Sequence, residues 1–154
     1  EFLTNELPGW AELLHPIVSG RMYTGRDSLA LDYMTALRRV QQLWLRAEAQ
    51  LADVDVLATP TIPITPPIVS EVEDMEAYVA ANMLTLSNTM AGNSLNLCGV
   101  TIPVGLDNAG MPVGLQLLAK LHDEETLLSV ALAVEAKIGT PKERLGPSPL
   151  GGSN

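Results

Sequence analysis

Two alternating runs joined by a Gly/Pro-containing turn, residues 100–107 and 113–119, constrain this chain more than any other feature. Val100, Ile102, Val104 and Leu106 fall on one side of the first run, and Thr101, Pro103, Gly105 and Asp107 on the other. Val113, Leu115, Leu117 and Ala119 repeat the alternation. A period of two marks half-buried strands, because successive side chains leave opposite faces. With residues 108–111 as the loop, Leu106 is predicted to face Val113, Val104 to face Leu115, and Ile102 to face Leu117. The opposite face then pairs Gly105 with Gly114 and Pro103 with Gln116. That face is bare of side chains at one point, where a backbone or a ligand can approach closely. The plainer reading is a hairpin packed beneath a helix.

The 154 residues suit one domain of ordinary size, 47% hydrophobic and 18% charged. No apolar run reaches membrane-spanning length, and no basic-then-apolar leader opens the chain. The lone cysteine, Cys98, allows no internal disulfide and fits a reducing, cytoplasmic setting. A net charge of −9 argues against nucleic acid and anionic membrane as partners. The chain opens on Glu1 rather than Met, as expected of a processed product or a piece of something longer.

Breakers at Pro8-Gly9, Gly20 and Gly25 leave room only for short helical turns before residue 27. Tyr33, Leu37, Val40, Trp44, Ala47 and Leu51 then recur at steps of four and three, the stripe of an amphipathic helix reaching about Ala52 with Asp27 as N-cap. Val54, Val56, Leu57 and Ala58 read as a short strand ending at Thr59-Pro60. The four prolines of residues 59–67 fix φ and remove donors, so this stretch is expected to be a stiff extended loop. Acids in residues 71–76 complement the dipole of a helix running from Met75 through about Met90 or past Gly92. A final helix carries Leu127, Ala131, Val134 and Ile138 on one face, with Asp123 as N-cap and Gly139 and Pro141 as stops. Residues 147–154 read as a flexible tail behind a segment of residues 1–146. Three strands make a thin sheet for so many apolar helix faces, so the chain looks like part of a larger α/β sheet.

Chemistry is sparse. His15 and His122 are the two histidines, and neither lies in a metal-ligand spacing, so no metal site is expected. A Cys98–His122 nucleophile pair is conceivable, but a small buried thiol is the default reading for Cys98. No phosphate-cradling glycine loop and no GxSxG turn occurs; Ser87 and Ser94 stand in other contexts. The residues alone describe no self-sufficient catalytic centre, and no cofactor.

Asp55-Val56-Leu57-Ala58-Thr59-Pro60-Thr61, Gly110-Met111-Pro112-Val113-Gly114-Leu115-Gln116-Leu117 and Asp123-Glu124-Glu125-Thr126-Leu127-Leu128 resemble three successive blocks of the amidase signature family, in order and at familiar spacing. Asn88-Thr89 with Asn93, and Ile102-Pro103-Val104-Gly105, resemble the stretch ahead of the middle block. The helix bearing Tyr33 and Arg39 fits the long helix before the first. The resemblance covers about residues 20 to 139.

It implies a large α/β domain, a mixed twisted sheet with helices on both faces, of which this chain looks like the C-terminal third. The family hydrolyses amide C–N bonds with a Ser–cis-Ser–Lys triad and a Gly/Ser-rich loop of oxyanion-binding N–H groups. Those residues precede everything seen here, and Lys120, Lys137 and Lys142 are not in the catalytic lysine's context. What remains resembles the substrate wall. Thr61 and Ile62 are candidates in the Pro-stiffened loop, with Thr89 and Asn93 near the cleft. Leu86 stands where the glutamine-using amidotransferase subunit carries an aspartate that holds an ammonium group, which favours a neutral or apolar small amide. Cys98-Gly99 replaces a frequent Pro-Ala. The expected partners are a small amide and an upstream catalytic segment, and the chain alone should be inactive. Bare edges and apolar faces should drive oligomerisation or aggregation. A rival reading is a non-catalytic module that binds a partner through its sheet edge.

Overall fold

The computed structural model describes residues 5–146. The chain divides into two compact units between Gln41 and Gln42. In the first, a 3-10 turn, Trp10–Leu13, precedes helix α1, Pro16–Tyr23. His15 caps α1 by accepting the Ile17 N–H at Nδ1, 3.4 Å away, and Pro16 occupies the first turn, where its missing N–H costs nothing. The Trp10 and Tyr23 rings lie 5.5 Å apart, tilted by 35°.

Helix α2, Ala30–Gln50, begins two residues later than Asp27 as N-cap would place it. The Leu29 carbonyl accepts the Tyr33 N–H at 3.1 Å, so Leu29 stands at the cap and Asp27 lies in the preceding turn. Val40 and Ala47 of the predicted stripe are half-buried, while Tyr33, Leu37 and Trp44 remain exposed.

In the second unit, β1 is Leu57–Pro60, displaced toward the prolines relative to the predicted strand. Val54 is spent on a turn, its N–H donating to the Leu51 carbonyl at 3.1 Å. Pro60 is tolerated because β1 is an outer strand. Helix α3, Met75–Ser94, starts at Asp74, whose carboxylate accepts the Glu76 and Ala77 N–H groups at 3.0 and 3.2 Å. It ends in a Schellman turn: Asn96 takes φ 57° and the Leu97 N–H reaches back to the Gly92 carbonyl at 3.0 Å. Strands β2, Cys98–Leu106, and β3, Pro112–Ala119, form the hairpin. The sheet order is β1-β3-β2 with antiparallel pairing throughout.

The register differs from the sequence expectation. Leu106 pairs Pro112, Gly105 pairs Val113, Pro103 pairs Gly114, Thr101 pairs Gln116 and Ile102 pairs Leu115. A bulge between Pro103 and Gly105 leaves Val104 without an opposite number and absorbs the extra residue. Face alternation survives, since beyond the bulge the slip is an even two residues.

Helix α4, Glu124–Ile138, supplies Leu127 and Ala131 to one sheet face, where they pack with Ile102, Leu117 and Ala119. Val134 joins the margin of this core, whereas Ile138 stays exposed. Asp123 stands at the N-cap position, but its carboxylate makes no capping bond. The opposite face meets α3 at Gly92, where an added Cβ would stand 3.2 Å from Leu118 Cδ2. Being central, β3 buries Gln116, Leu117, Leu118 and Ala119 in succession. The α/β architecture with helices on both faces is therefore as expected, built here on three strands.

α4 stops at Gly139 as expected, but Pro141 does more than follow the stop. It opens helix α5, Pro141–Leu145, through a capping box between Thr140 and Glu143. Arg144 of α5 donates through Nε to the Gly139 carbonyl at 2.9 Å and through Nη2 to the Pro103 carbonyl of the outer strand β2. The predicted tail, 147–154, lies outside the described residues. Among the described residues no helix is long and apolar enough to cross a membrane.

Candidate functional site

The sheet face beneath α3 carries the polar side chains. Thr59 of β1, Gln116 of β3 and Thr101 of β2 are direct cross-strand neighbours, so they form a row across the sheet. Thr61, the residue after β1, continues the pairing: its N–H donates to the Gly114 carbonyl at 2.8 Å. Its hydroxyl bonds Thr101 Oγ1 at 3.2 Å. A Cβ on residue 114 would stand 2.6 Å from Thr61 Oγ1 and 2.8 Å from Thr101 Cγ2. The bare point predicted on this face is thus filled at Gly114 by Thr61 and Thr101, while nothing lies within 4 Å of a Cβ built at Gly105.

Two concavities flank this row. One, of about 190 Å³, is lined by the proline-stiffened segment of Ile62 to Pro66 together with Asp107, Pro112, Val113 and Gly114. The other, of about 250 Å³, lies between the last turns of α3 and strands β2 and β3; Thr89, Gly92, Asn93, Thr101 and Gln116 are among its walls. Thr89 and Asn93 come together in the second, and Ile62 stands in the first. Thr61 bonds a residue of each, Gly114 and Thr101. Leu86 lines neither; it is half-buried on α3, and its carbonyl accepts the Thr89 hydroxyl at 3.1 Å. Asn88, one residue before Thr89, donates to the Pro60 carbonyl at 2.7 Å and so ties α3 to the end of β1.

Reactive side chains have local partners. Cys98 is half-buried, and its thiol donates to the Lys120 carbonyl at 3.1 Å. That contact packs the thiol but offers it no base. The Ser87 hydroxyl donates to the Leu84 carbonyl at 2.8 Å, a bond within its own helix. The Ser94 carbonyl accepts the Trp44 indole N–H at 2.6 Å, fastening α2 to the end of α3. Among the described residues, no three His, Cys, Asp or Glu side chains gather in a way that could hold a metal ion.

Gln116 is the residue that sequence reasoning passed over. It is 5% exposed, and its Oε1 is enclosed without a hydrogen-bond partner, as is Thr59 Oγ1. The signal was present: one long polar side chain in an otherwise apolar or glycine strand, Pro112–Ala119.

The architecture defines an α/β layer of the kind found in amide-cleaving enzymes. The crystal structure of an amidase superimposes with a TM-score of 0.67 at 28% identity, over 88% of this chain and 31% of that one. A 6-aminohexanoate cyclic dimer hydrolase complexed with substrate matches at 0.70 over 84% of this chain and 30% of its own, with 22% identity, a likeness of fold alone. The family model Amidase matches residues 9–128, and the chain belongs to this family. A 2-amino-5-chloromuconic acid deaminase of Comamonas testosteroni is 36% identical over 97% of the chain. A fatty acid amide hydrolase of Oryza sativa subsp. indica is 36% identical over 71% of the chain. The chain spans only 32% and 20% of the lengths of these two relatives.

Proposed function

We propose that the chain is part of a hydrolase that cleaves the C–N bond of small amides, with its reacting groups supplied by a preceding segment. Family membership over residues 9–128, in a chain one-third or less the length of its relatives, is the observation that carries this reading. In the proposed mechanism a serine attacks the amide carbonyl after losing its proton, through a cis-peptide serine, to a lysine. Backbone N–H groups hold the resulting oxyanion, and the amine departs before water releases the acid. The residues described here then shape the cleft, Thr61 and Ile62 on the rigid loop and Thr89 and Asn93 on α3, while Leu86, outside both concavities, would border it only where the preceding segment meets α3. Leu86 offers no charge to an ammonium group, which favours a neutral or apolar amide.

Support for an incomplete unit comes from the sheet. β1 and β2 are its outer strands, and Leu31, Leu45, Leu128 and Leu132 lie exposed on α2 and α4. The same outer strands favour a second reading, a non-catalytic module that pairs a partner along its edge. The test is ammonia release from a small amide by this chain alone and by the polypeptide extended upstream. Turnover is expected only from the extended form. Turnover by the chain alone reopens Cys98 and Ser94 as nucleophiles. An inactive extended form favours the module.

A further inference from the structure

The hairpin turn holds the carboxylate of Asp107 by one oxygen only. Oδ1 accepts the Ala109 and Met111 N–H groups, both at 2.8 Å, and the Asp107 N–H donates to the Met111 carbonyl at 2.8 Å. Among the described residues no donor reaches Oδ2, and no cationic residue stands on the wall of the concavity of about 190 Å³ that Asp107 lines. That wall is rich in acceptors and poor in donors. Pro63, Pro66 and Pro112 bring carbonyls but no N–H, and Thr65 is the one lining residue whose side chain has a proton to donate. Ile62, Val113 and the proline rings supply hydrocarbon. A fixed carboxylate oxygen beside apolar walls suits a cation that carries its own N–H groups on an alkyl chain.

We infer that this concavity binds a primary alkylammonium group, which donates to Asp107 Oδ2 while its methylenes lie along Ile62, Val113 and the proline rings. A guanidinium pairs best with both oxygens of a carboxylate, and here Oδ1 already accepts two backbone N–H groups. A quaternary ammonium has no proton to donate and needs aromatic faces, which the wall lacks. A calcium or magnesium ion needs about six oxygen ligands, and the wall supplies a single carboxylate. The volume takes a chain of a few carbons rather than a drug-sized molecule, whose pockets begin at about 300 Å³. Leu86, which has no charge for an ammonium group, lies outside this concavity, so the neutral amide favoured above and the ammonium inferred here concern different places. Ammonium binding needs no hydrolysis and stands or falls separately from the amide-hydrolase reading.

The test is calorimetric titration of the complete polypeptide that carries this chain with the chlorides of n-butylammonium, n-butylguanidinium, tetramethylammonium and calcium, and with n-butanol as the uncharged probe. Butylammonium is expected to bind at least about tenfold more tightly than each of the others. Asp107→Asn keeps an oxygen for the Ala109 and Met111 N–H groups, so the turn survives while the charge goes. Butylammonium affinity should then fall about tenfold or more, with the melting temperature little changed. Val113→Phe fills the apolar wall, leaves the carboxylate in place and should weaken butylammonium by a similar factor. Glu48→Gln removes one exposed negative charge from α2, outside the concavity, and should leave the affinity unchanged. No binding of butylammonium, or equal binding of any other probe, overturns the inference. So does full affinity in Asp107→Asn, or a loss in Glu48→Gln as large as that in Asp107→Asn, which would make the attraction one of overall charge. Where Asp107→Asn lowers the melting temperature by many degrees, Val113→Phe decides, and unchanged affinity there overturns the site. Amide hydrolysis by a polypeptide that ignores butylammonium keeps the hydrolase and discards the site; binding without hydrolysis does the reverse.

Discussion

At Gly114 a single methyl group would meet Thr61 Oγ1 and Thr101 Cγ2 at distances no real Cβ tolerates, and backbone pairing holds both neighbours in place. Gly114→Ala is therefore expected to cost about 1–3 kcal/mol in urea denaturation, the usual range for overpacking. Gly105→Ala meets open space and should change stability by less than about 0.5 kcal/mol. Glu143 supplies a pH-dependent prediction. Its carboxyl is held below the usual range because it accepts first the Thr140 backbone N–H and then the Thr140 hydroxyl. A depressed folded-state value means that the contribution is present above the ordinary glutamate range and is lost as pH falls through the folded value. The helical content of α5 should accordingly fall on acidification, read as a drop in amide protection factors after correction for the intrinsic exchange rate, and Glu143→Gln should flatten that dependence. Alternation put Gly114 on the right face, but its expected pairing with Gly105 fails, since Pro103 stands opposite and Thr61 and Thr101 fill the space. The burial of Gln116 was not legible, because period two assigns a face without saying that β3 is central and covered on both.

The elements differ in how much of their free energy is visible in the described residues. α4 buries Leu127 at 3% exposure against Ile102 and Leu117, so Leu127→Ala should cost about 2–5 kcal/mol in chemical denaturation. Its neighbour Leu128, 53% exposed, should tolerate alanine within about 0.5 kcal/mol. Asp74→Ala removes the carboxylate that caps α3 and should cost about 1 kcal/mol on the same assay. Helical periodicity made α2 and α4 readable, and the acids at its start marked α3, whereas the caps expected of Asp27 and Asp123 were not realised through their side chains. The hairpin was readable as an element but not in register, since a bulge at Val104 obeys the local fit of Pro103 beside Gly114 rather than any hydrophobic pattern. α5 escaped because proline reads equally as a stop and as a first-turn residue. Thr140 and Glu143 three residues later decide for the start.

At the scale of the whole molecule, the apolar residues left open on α2 and α4 and the two outer strands govern behaviour in solution. The isolated chain is expected to sediment as species heavier than its 16.4 kDa monomer. A clean monomer with a sharp cooperative melt would count against the incomplete-unit reading. The proposal that the sheet continues elsewhere was open to the sequence, through the mismatch between three strands and many apolar faces. What would cover those faces was not, because no residue of this chain names it.

The indole of Trp44, bonded to the Ser94 carbonyl, has one more consequence. The other tryptophan, Trp10, lies in the first unit beside Tyr23, so each unit contains its own chromophore. Fluorescence from Trp10→Phe and Trp44→Phe chains can therefore be followed separately during heating, and a difference between the two traces would reveal which unit loosens first.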